Sequence, residues 1–362
     1  MALTSKLTNI ADAIRSKTGG TDLLTLDGMV AAIGGIEVGG GGGGGFPNGT
    51  EWTQSNITSG QFNDVFFADG LWVAVSNTAG FHYSSDGINW VQSNVTGSTY
   101  SKSVHKANGI WVAACYGSSS AFKTTYYSTD GMTWTRSNIQ NSGISVVYYA
   151  NGVWLAGDGD NSSVYYSTDG TTWSLISSLQ RAKAFACANG VWVAGCSGSK
   201  GIYYSTDGIN WTQSNVTDKT VYTVHNANGL WVACTDNAGL YYSTDGMTWT
   251  QSNVTSGVYY TVNYANGVWV AGGYSTFVKY STDGINWTQS AALSGTLNHV
   301  LNRNAMWVFC STNNQSGYST DGINWTKFRL TSGNMVKTYN DNGMWVAATT
   351  KGLYYSPTWQ TA

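Results

Sequence analysis

A chain of 362 residues with a net charge of −2 and only 10% charged residues contains no Lys/Arg run, which excludes an electrostatic footprint for nucleic acid or anionic membrane. No apolar run approaches the roughly 18 residues of a membrane span, and Asp12 and Arg15 interrupt the first apolar stretch before it can serve as a signal-peptide core, so neither insertion nor Sec export is expected. The abundance of Gly (45), Tyr (23) and Trp (17) points instead to a β-rich chain with many turns and large aromatic plugs.

Residues 1–36 differ in kind from all that follows. Leu3, Leu7, Ile10 and Ile14 recur at steps of four, three and four, one stripe of a helix that Gly19 and Gly20 stop. A second short helix is predicted over 26–33. Two such helices cannot bury a core alone, so this segment is expected to dock or to oligomerise. Residues 37–49 follow as a linker whose seven consecutive glycines, Gly39 to Gly45, lose too much backbone entropy to order readily.

From residue 50 the chain is repeats. The Trp of one signature falls at 72, 111, 154, 192, 231, 269, 307 and 345, at intervals of 38 or 39 with one of 43, which makes eight copies. Each copy reads as an apolar strand A ending in Ala-Asn-Gly, a strand B opening on Trp-Val-Ala, a variable stretch, a strand C ending in Tyr-Tyr-Ser, an Asp-Gly turn and a short strand D beginning Trp-Thr-Gln-Ser-Asn. Asn-Gly is a strong signal for a tight hairpin because a type I′ turn needs positive φ at both central positions. Four antiparallel strands per unit of about 40 residues, eight times over, predicts an all-β, eight-bladed β-propeller spanning 50–362. The stretch 50–56 is a strand D with no copy of its own, while Pro357 stands where the last Asp-Gly turn should begin. The N-terminal strand is therefore expected to complete blade eight and remove an open edge, with the tail around Trp359 as its competitor.

Metal and nucleophile chemistry find little support. The five cysteines (Cys115, Cys187, Cys196, Cys234, Cys310) lack CxxC spacing, and four follow a repeat Trp by three or four residues, so they read as small core hydrophobes in a reducing compartment. His82, His105, His225 and His299 have no metal-ligand spacing and read as packed strand residues. Asp158 to Asn161 open like a calcium loop but lack the Gly and Glu that should follow, so no metal and no cofactor is expected.

In an up-and-down blade the A–B and C–D turns lie at one end and the B–C and D–A connections at the other. The turns hardly change between copies, whereas the connections do, so one face of the disc is uniform and the opposite face variable. The variable face carries the candidate recognition residues. From the B–C stretches these are Tyr116, Phe122, Lys123, Asp158, Asp160, Asn161, Lys200, Asp236, Asn237, Tyr274, Phe277, Asn313, Asn314 and Gln315. The D–A stretches add Tyr100, Arg181, Lys219, Tyr259 and Arg329. The longest insertion, with Tyr116, Phe122 and Lys123, is the preferred element; such a surface suits a glycan or a protein epitope.

Two resemblances bear on function. The Ser-Thr-Asp-Gly-x-Asn-Trp motif, with Asp86, Asp130, Asp169, Asp207, Asp245, Asp283 and Asp321, resembles the Asp-box of sialidase-like propellers, which has one more residue between its Asp and Gly. In that family the box is a structural turn between the third and fourth strands, and seven equivalent copies favour the same role here. A glycosidase needs a pair of groups, commonly two carboxylates or a Tyr activated by Glu, and a sialidase adds an Arg cluster, but after residue 40 the only Glu is Glu51, the only arginines are Arg136, Arg181, Arg303 and Arg329, and the Arg-Ile-Pro stretch typical of sialidases is absent. No catalytic residue is assigned, although Asp64, Asp158, Asp160, Asp218, Asp236 and Asp341 lie outside the boxes. The stretch from Leu7 to Ile33 looks like a short module near the start of tail and tail-fibre proteins of phages infecting Gram-positive bacteria. That resemblance implies a virion-attached receptor-binding protein, made in the host cytoplasm. Residues 1–36 would join other tail proteins, in a homo-oligomer, and the propeller would bind a host-surface glycan or protein without covalent chemistry. The alternatives are an Asp-box-like hydrolase of surface polysaccharide and a lectin-like or scaffold propeller unrelated to virions.

Overall fold

The computed structural model describes residues 52–357 except 118–122, 141, 160–162, 275, 313–314 and 342. The helical segment and the glycine tether expected before residue 50 lie outside the described residues. The chain divides into a unit of residues 1–46 and a compact unit of residues 47–362. The latter is an all-β propeller of eight four-stranded antiparallel sheets. Among the described residues no helix is long and apolar enough to cross a membrane.

Strand A starts the blades at Phe62, Ser101, Val146, Ala182, Val221, Tyr259, Leu297 and Met335. In seven blades the three following strands come consecutively in sequence, each paired to the one before. The eighth is composite: its strands A, B and C (Met335–Asp341, Met344–Thr349, Gly352–Pro357) are completed by Thr53–Gln54, which pairs with Tyr355 and Tyr354. Backbone bonds from Ser55 N–H to Leu353 O and from Leu353 N–H to Ile57 O extend the closure. Joining the first strand to the last blade leaves the ring without an unpaired seam.

The core lies between blades. Most of strand B is a continuous apolar run rather than alternating because neighbouring blades cover both of its faces, so Trp72, Val73, Ala74 and Val75 are all fully buried. The same Trp in the other copies fills the equivalent gap, as Trp111 does against Val73 and Val75 of the preceding blade. Phe62, Trp72 and Trp90 of blade one pack with Val346 and Leu353 of blade eight, so the ring is also closed by packing. Cys115, Cys196, Cys234 and Cys310 are buried free thiols in these interfaces, and Cys187 is half-buried.

The Asn-Gly turns adopt positive φ at both positions, as at Asn228 (51°) and Gly229 (76°). Blade seven departs from the pattern, with Asn304 and the non-glycine Ala305 at 51° and 58°. At the other tight turn Asp86 Oδ1 accepts the N–H groups of Ile88 (2.8 Å) and Asn89 (2.7 Å) and the Ser84 hydroxyl (2.8 Å). Trp90 Nε1 donates to Gly87 O at 3.0 Å, so one side chain plugs the interface and closes its own turn. The same set of bonds recurs at Asp207 and Asp283.

In five places an Asn four residues after a repeat Trp clamps the next blade. Asn253 Nδ2 donates to Trp287 O at 3.1 Å while Trp287 N–H donates to Asn253 Oδ1 at 2.8 Å. Asn56, Asn94, Asn138 and Asn215 make the same two-way bond to Trp90, Trp134, Trp173 and Trp249. In blade four the bond to Trp211 N–H comes from the Ser178 hydroxyl, five residues after Trp173, at 3.2 Å. Asn253→Ala removes two half-buried bonds to backbone and is expected to cost about 1–3 kcal/mol, read from the midpoint of urea unfolding. The same truncation at Ser178 should cost less.

Candidate functional site

The B–C and D–A stretches of a blade do share one end of the strands and are tied there by backbone bonds. Asp236 N–H donates to Thr220 O (3.0 Å), Tyr274 N–H to Val258 O (3.0 Å), Tyr116 N–H to Tyr100 O (3.1 Å) and Ser197 N–H to Arg181 O (2.9 Å). Just inside this rim strand A carries a β-bulge in seven blades, so one extra residue per blade is left outside the ladder. The extra residues are Asn63, Lys102, Lys183, Tyr222, Tyr260, Asn298 and Val336. A bulge re-aims its side chain, and here it does so at the mouth of the central bore on the variable face.

These bulge residues differ among blades and touch across them. Lys183 Nζ lies 5.4 Å from the Tyr222 ring centroid, and Tyr222 meets Tyr260 edge to face at 4.8 Å. Beside them Tyr274 is 58% exposed. Burial holds the phenols of Tyr222 and Tyr260 above their ordinary pKa; nearby Tyr260 and Asp236 reinforce this for Tyr222, and Tyr274 does so for Tyr260. Both therefore stay protonated and able to donate at neutral pH. Across the mouth Asn63 Nδ2 and Lys102 Nζ both donate to Asn77 Oδ1, at 2.6 and 3.1 Å.

The residues expected from sequence divide into several groups. Tyr274, Tyr100 (38% exposed), Asn237 and Arg329 are exposed, and Lys123, Lys200 and Gln315 are half-buried. Arg181 reaches over Gly198, and Lys219 pairs with Asp218 at 3.0 Å. Asp236 Oδ1 accepts Thr220 N–H at 2.9 Å and so braces its own loop. Tyr116 packs over Gly143 and is half-buried. Phe277 lies in strand C of blade six, Thr276–Ser281. Phe122, Asp160, Asn161, Asn313 and Asn314 lie outside the described residues.

Two expectations need correction. Tyr259 is 3% exposed and packs in the interface with Trp269, because the bulge turns it inward and its neighbour Tyr260 outward. Asp158 is fully buried and offers nothing to a large partner. The bulge residues Lys183, Tyr222 and Tyr260 were missed because a bulge alters the two-residue alternation without any local residue signal.

Deeper in the bore, Asp64 (1% exposed) accepts Val65 N–H at 2.8 Å and Val104 N–H at 3.0 Å and pairs with Lys337 at 2.8 Å, linking blades eight, one and two. Burial, then the charge of Lys337, lowers His105 to about 4 and His299 to about 3. The seven turn aspartates also have lowered pKa values: at Asp86 burial works upward, but bonds from Asn89, Ile88 and Ser84 outweigh it and hold the group at about 2. Among the described residues no group of three or more His, Cys, Asp or Glu is placed to hold a metal ion.

No family model and no curated protein matches the chain. Solved structures share its fold. The computationally designed Ika8 protein has a TM-score of 0.68 at 10% identity, covering 86% of this chain and 100% of its own. Saccharomyces cerevisiae Sqt1 gives 0.64 at 10% identity, with 86% and 99% covered. YCF48 from Cyanidioschyzon merolae gives 0.56 at 12% identity, with 85% and 98% covered. At these identities the likeness is one of architecture alone.

Proposed function

We propose that this protein is a non-catalytic receptor-binding protein of a phage tail that engages a host-surface glycan or protein epitope through the variable face of its propeller. The observation that carries this reading is the ring of bulge residues, which concentrates the side chains that differ between blades around one mouth of the bore. The Lys183–Tyr222–Tyr260 arc, with Tyr274 exposed beside it, combines rigid aromatic surface with hydrogen-bond donors, the composition of recognition surfaces. The turn aspartates resemble Asp-boxes and spend their carboxylates on their own backbone, which suits a structural role. Asp64, outside the turns, is likewise committed to two N–H groups and Lys337. The resemblance of residues 1–36 to phage tail modules supports a virion-bound setting, with that segment as the attachment and oligomerisation element.

The test is binding of the full chain to a panel of Gram-positive cells, comparing wild type with Lys183→Ala/Tyr222→Ala/Tyr260→Ala while assaying the supernatant for released sugar. Saturable binding that the triple variant weakens at least about tenfold, with no sugar released, is the expected result. Sugar release would favour a polysaccharide hydrolase. Cell binding untouched by the triple variant and by Tyr116→Ala/Lys123→Ala would remove the variable face from the reading.

A further inference from the structure

The opposite mouth of the bore, on the uniform face, breaks the repeat in two adjacent blades. Strand A ends in Ala at positions 68, 107, 150, 188, 227 and 265, but in Arg303 and Asp341 in blades seven and eight. Two adjoining cavities of about 530 and 410 Å³ open there, and both are lined by Arg303 and Asn304. Each is within the roughly 300–1,000 Å³ of small-molecule pockets. The larger adds His225, Asn263 and Asn302; the smaller adds Asn340 and Asp341.

Three features point to a ligand. Asn340 is 3% exposed, its Oδ1 accepts Asn304 Nδ2 at 2.9 Å, and among the described residues its Nδ2 has no acceptor. The buried Nδ2 of Asn302 is in the same state. An unsatisfied buried donor costs about 1–3 kcal/mol, so a chain that keeps one at each of two adjoining cavities gains when an acceptor arrives. Ala305, beside them, holds φ at 58° where the seven other copies place glycine, a strained conformation retained at the same mouth. The walls combine amides with one cation and one anion, Arg303 and Asp341, so neither net charge nor apolar surface is being selected.

We propose that this mouth binds a neutral polyhydroxylated ligand of about one sugar ring, whose hydroxyls accept from the Asn302 and Asn340 amides and from Arg303 and donate to Asp341. This is a site separate from the variable face and does not depend on the receptor reading. Full-length protein would be titrated with glucose, galactose, mannose and N-acetylglucosamine by calorimetry and ligand-observed NMR. Arg303→Ala/Asp341→Ala restores the residue of six other copies, so its thermal melting should stay near that of wild type. Binding of at least one sugar, weakened at least about tenfold by that double substitution and by Asn302→Ala but unchanged by Tyr222→Ala/Tyr260→Ala, is the expected result. No binding by any of the four sugars would overturn the proposal. So would binding that the double substitution leaves intact, or that only the tyrosine variant removes.

Discussion

Gly201→Ala is expected to destabilise the propeller by about 2–5 kcal/mol, while Gly229→Ala, at the same φ of 76°, should cost only about 1–2 kcal/mol. Both carry the penalty of a Cβ in the left-handed region. At Gly229 the Cβ would meet open space, but at Gly201 it would collide with Val216 O. That carbonyl cannot retreat freely, because it accepts Ile202 N–H at 2.9 Å and holds strand C against the segment after strand D. Gly80, Gly239 and Gly352 meet Val95 O, Val254 O and Ile57 O in the same way, so the constraint belongs to the blade and not to one loop. Urea unfolding of the two single variants checks this; equal midpoints would show that the packed glycine relaxes and that only backbone conformation matters.

Lowering the pH from 7 to 4.5 should weaken the fold before the turn aspartates lose their contribution. Burial depresses His82, His105 and His225 to about 4 and His299 to about 3, from an ordinary value of 6.5. The unfolded chain therefore binds more protons than the folded one across this window. Stability is complete above about pH 6.5, falls as the pH drops and levels off near 4 for three histidines and near 3 for His299, by up to about 1.4 kcal/mol per pH unit for each. Histidines that line the bore should contribute less than this bound. A second decline follows from the turn aspartates, whose depressed folded values mean that their contribution is present above about pH 4 and is lost towards about pH 2. Urea midpoints measured from pH 7.5 to 3, with His225→Gln alongside, test the order of events. A midpoint flat between pH 7 and 5 would mean that the histidines titrate as if exposed.

Much of the architecture could be read from residues close together in the chain. Asn228-Gly229 signals its own turn because positive φ at both positions is a local property, and Trp72 with its seven counterparts counts the blades. Thr53 and Gln54, a strand D without a copy, identified the closing strand. The aspartate of Ser-x-Asp-Gly serves its own turn, and Ile88, Asn89 and Ser84 all lie within three residues of Asp86.

The recognition surface was less accessible. The chain offers Tyr259-Tyr260 as two equivalent rings, and the bulge buries the first while turning the second to the bore. The clamp from the Asn253 side chain to the Trp287 backbone spans 34 residues and joins two residues that look like unrelated parts of a turn. Arg303 and Asp341 look like drift in worn copies until the closed ring sets them side by side. The sequence period determines how many blades form and where each turns, because hairpin geometry is set within a few residues. Which side chains meet at either mouth was left to ring closure and the bulge register, because those contacts join blades that the sequence keeps about 40 residues apart.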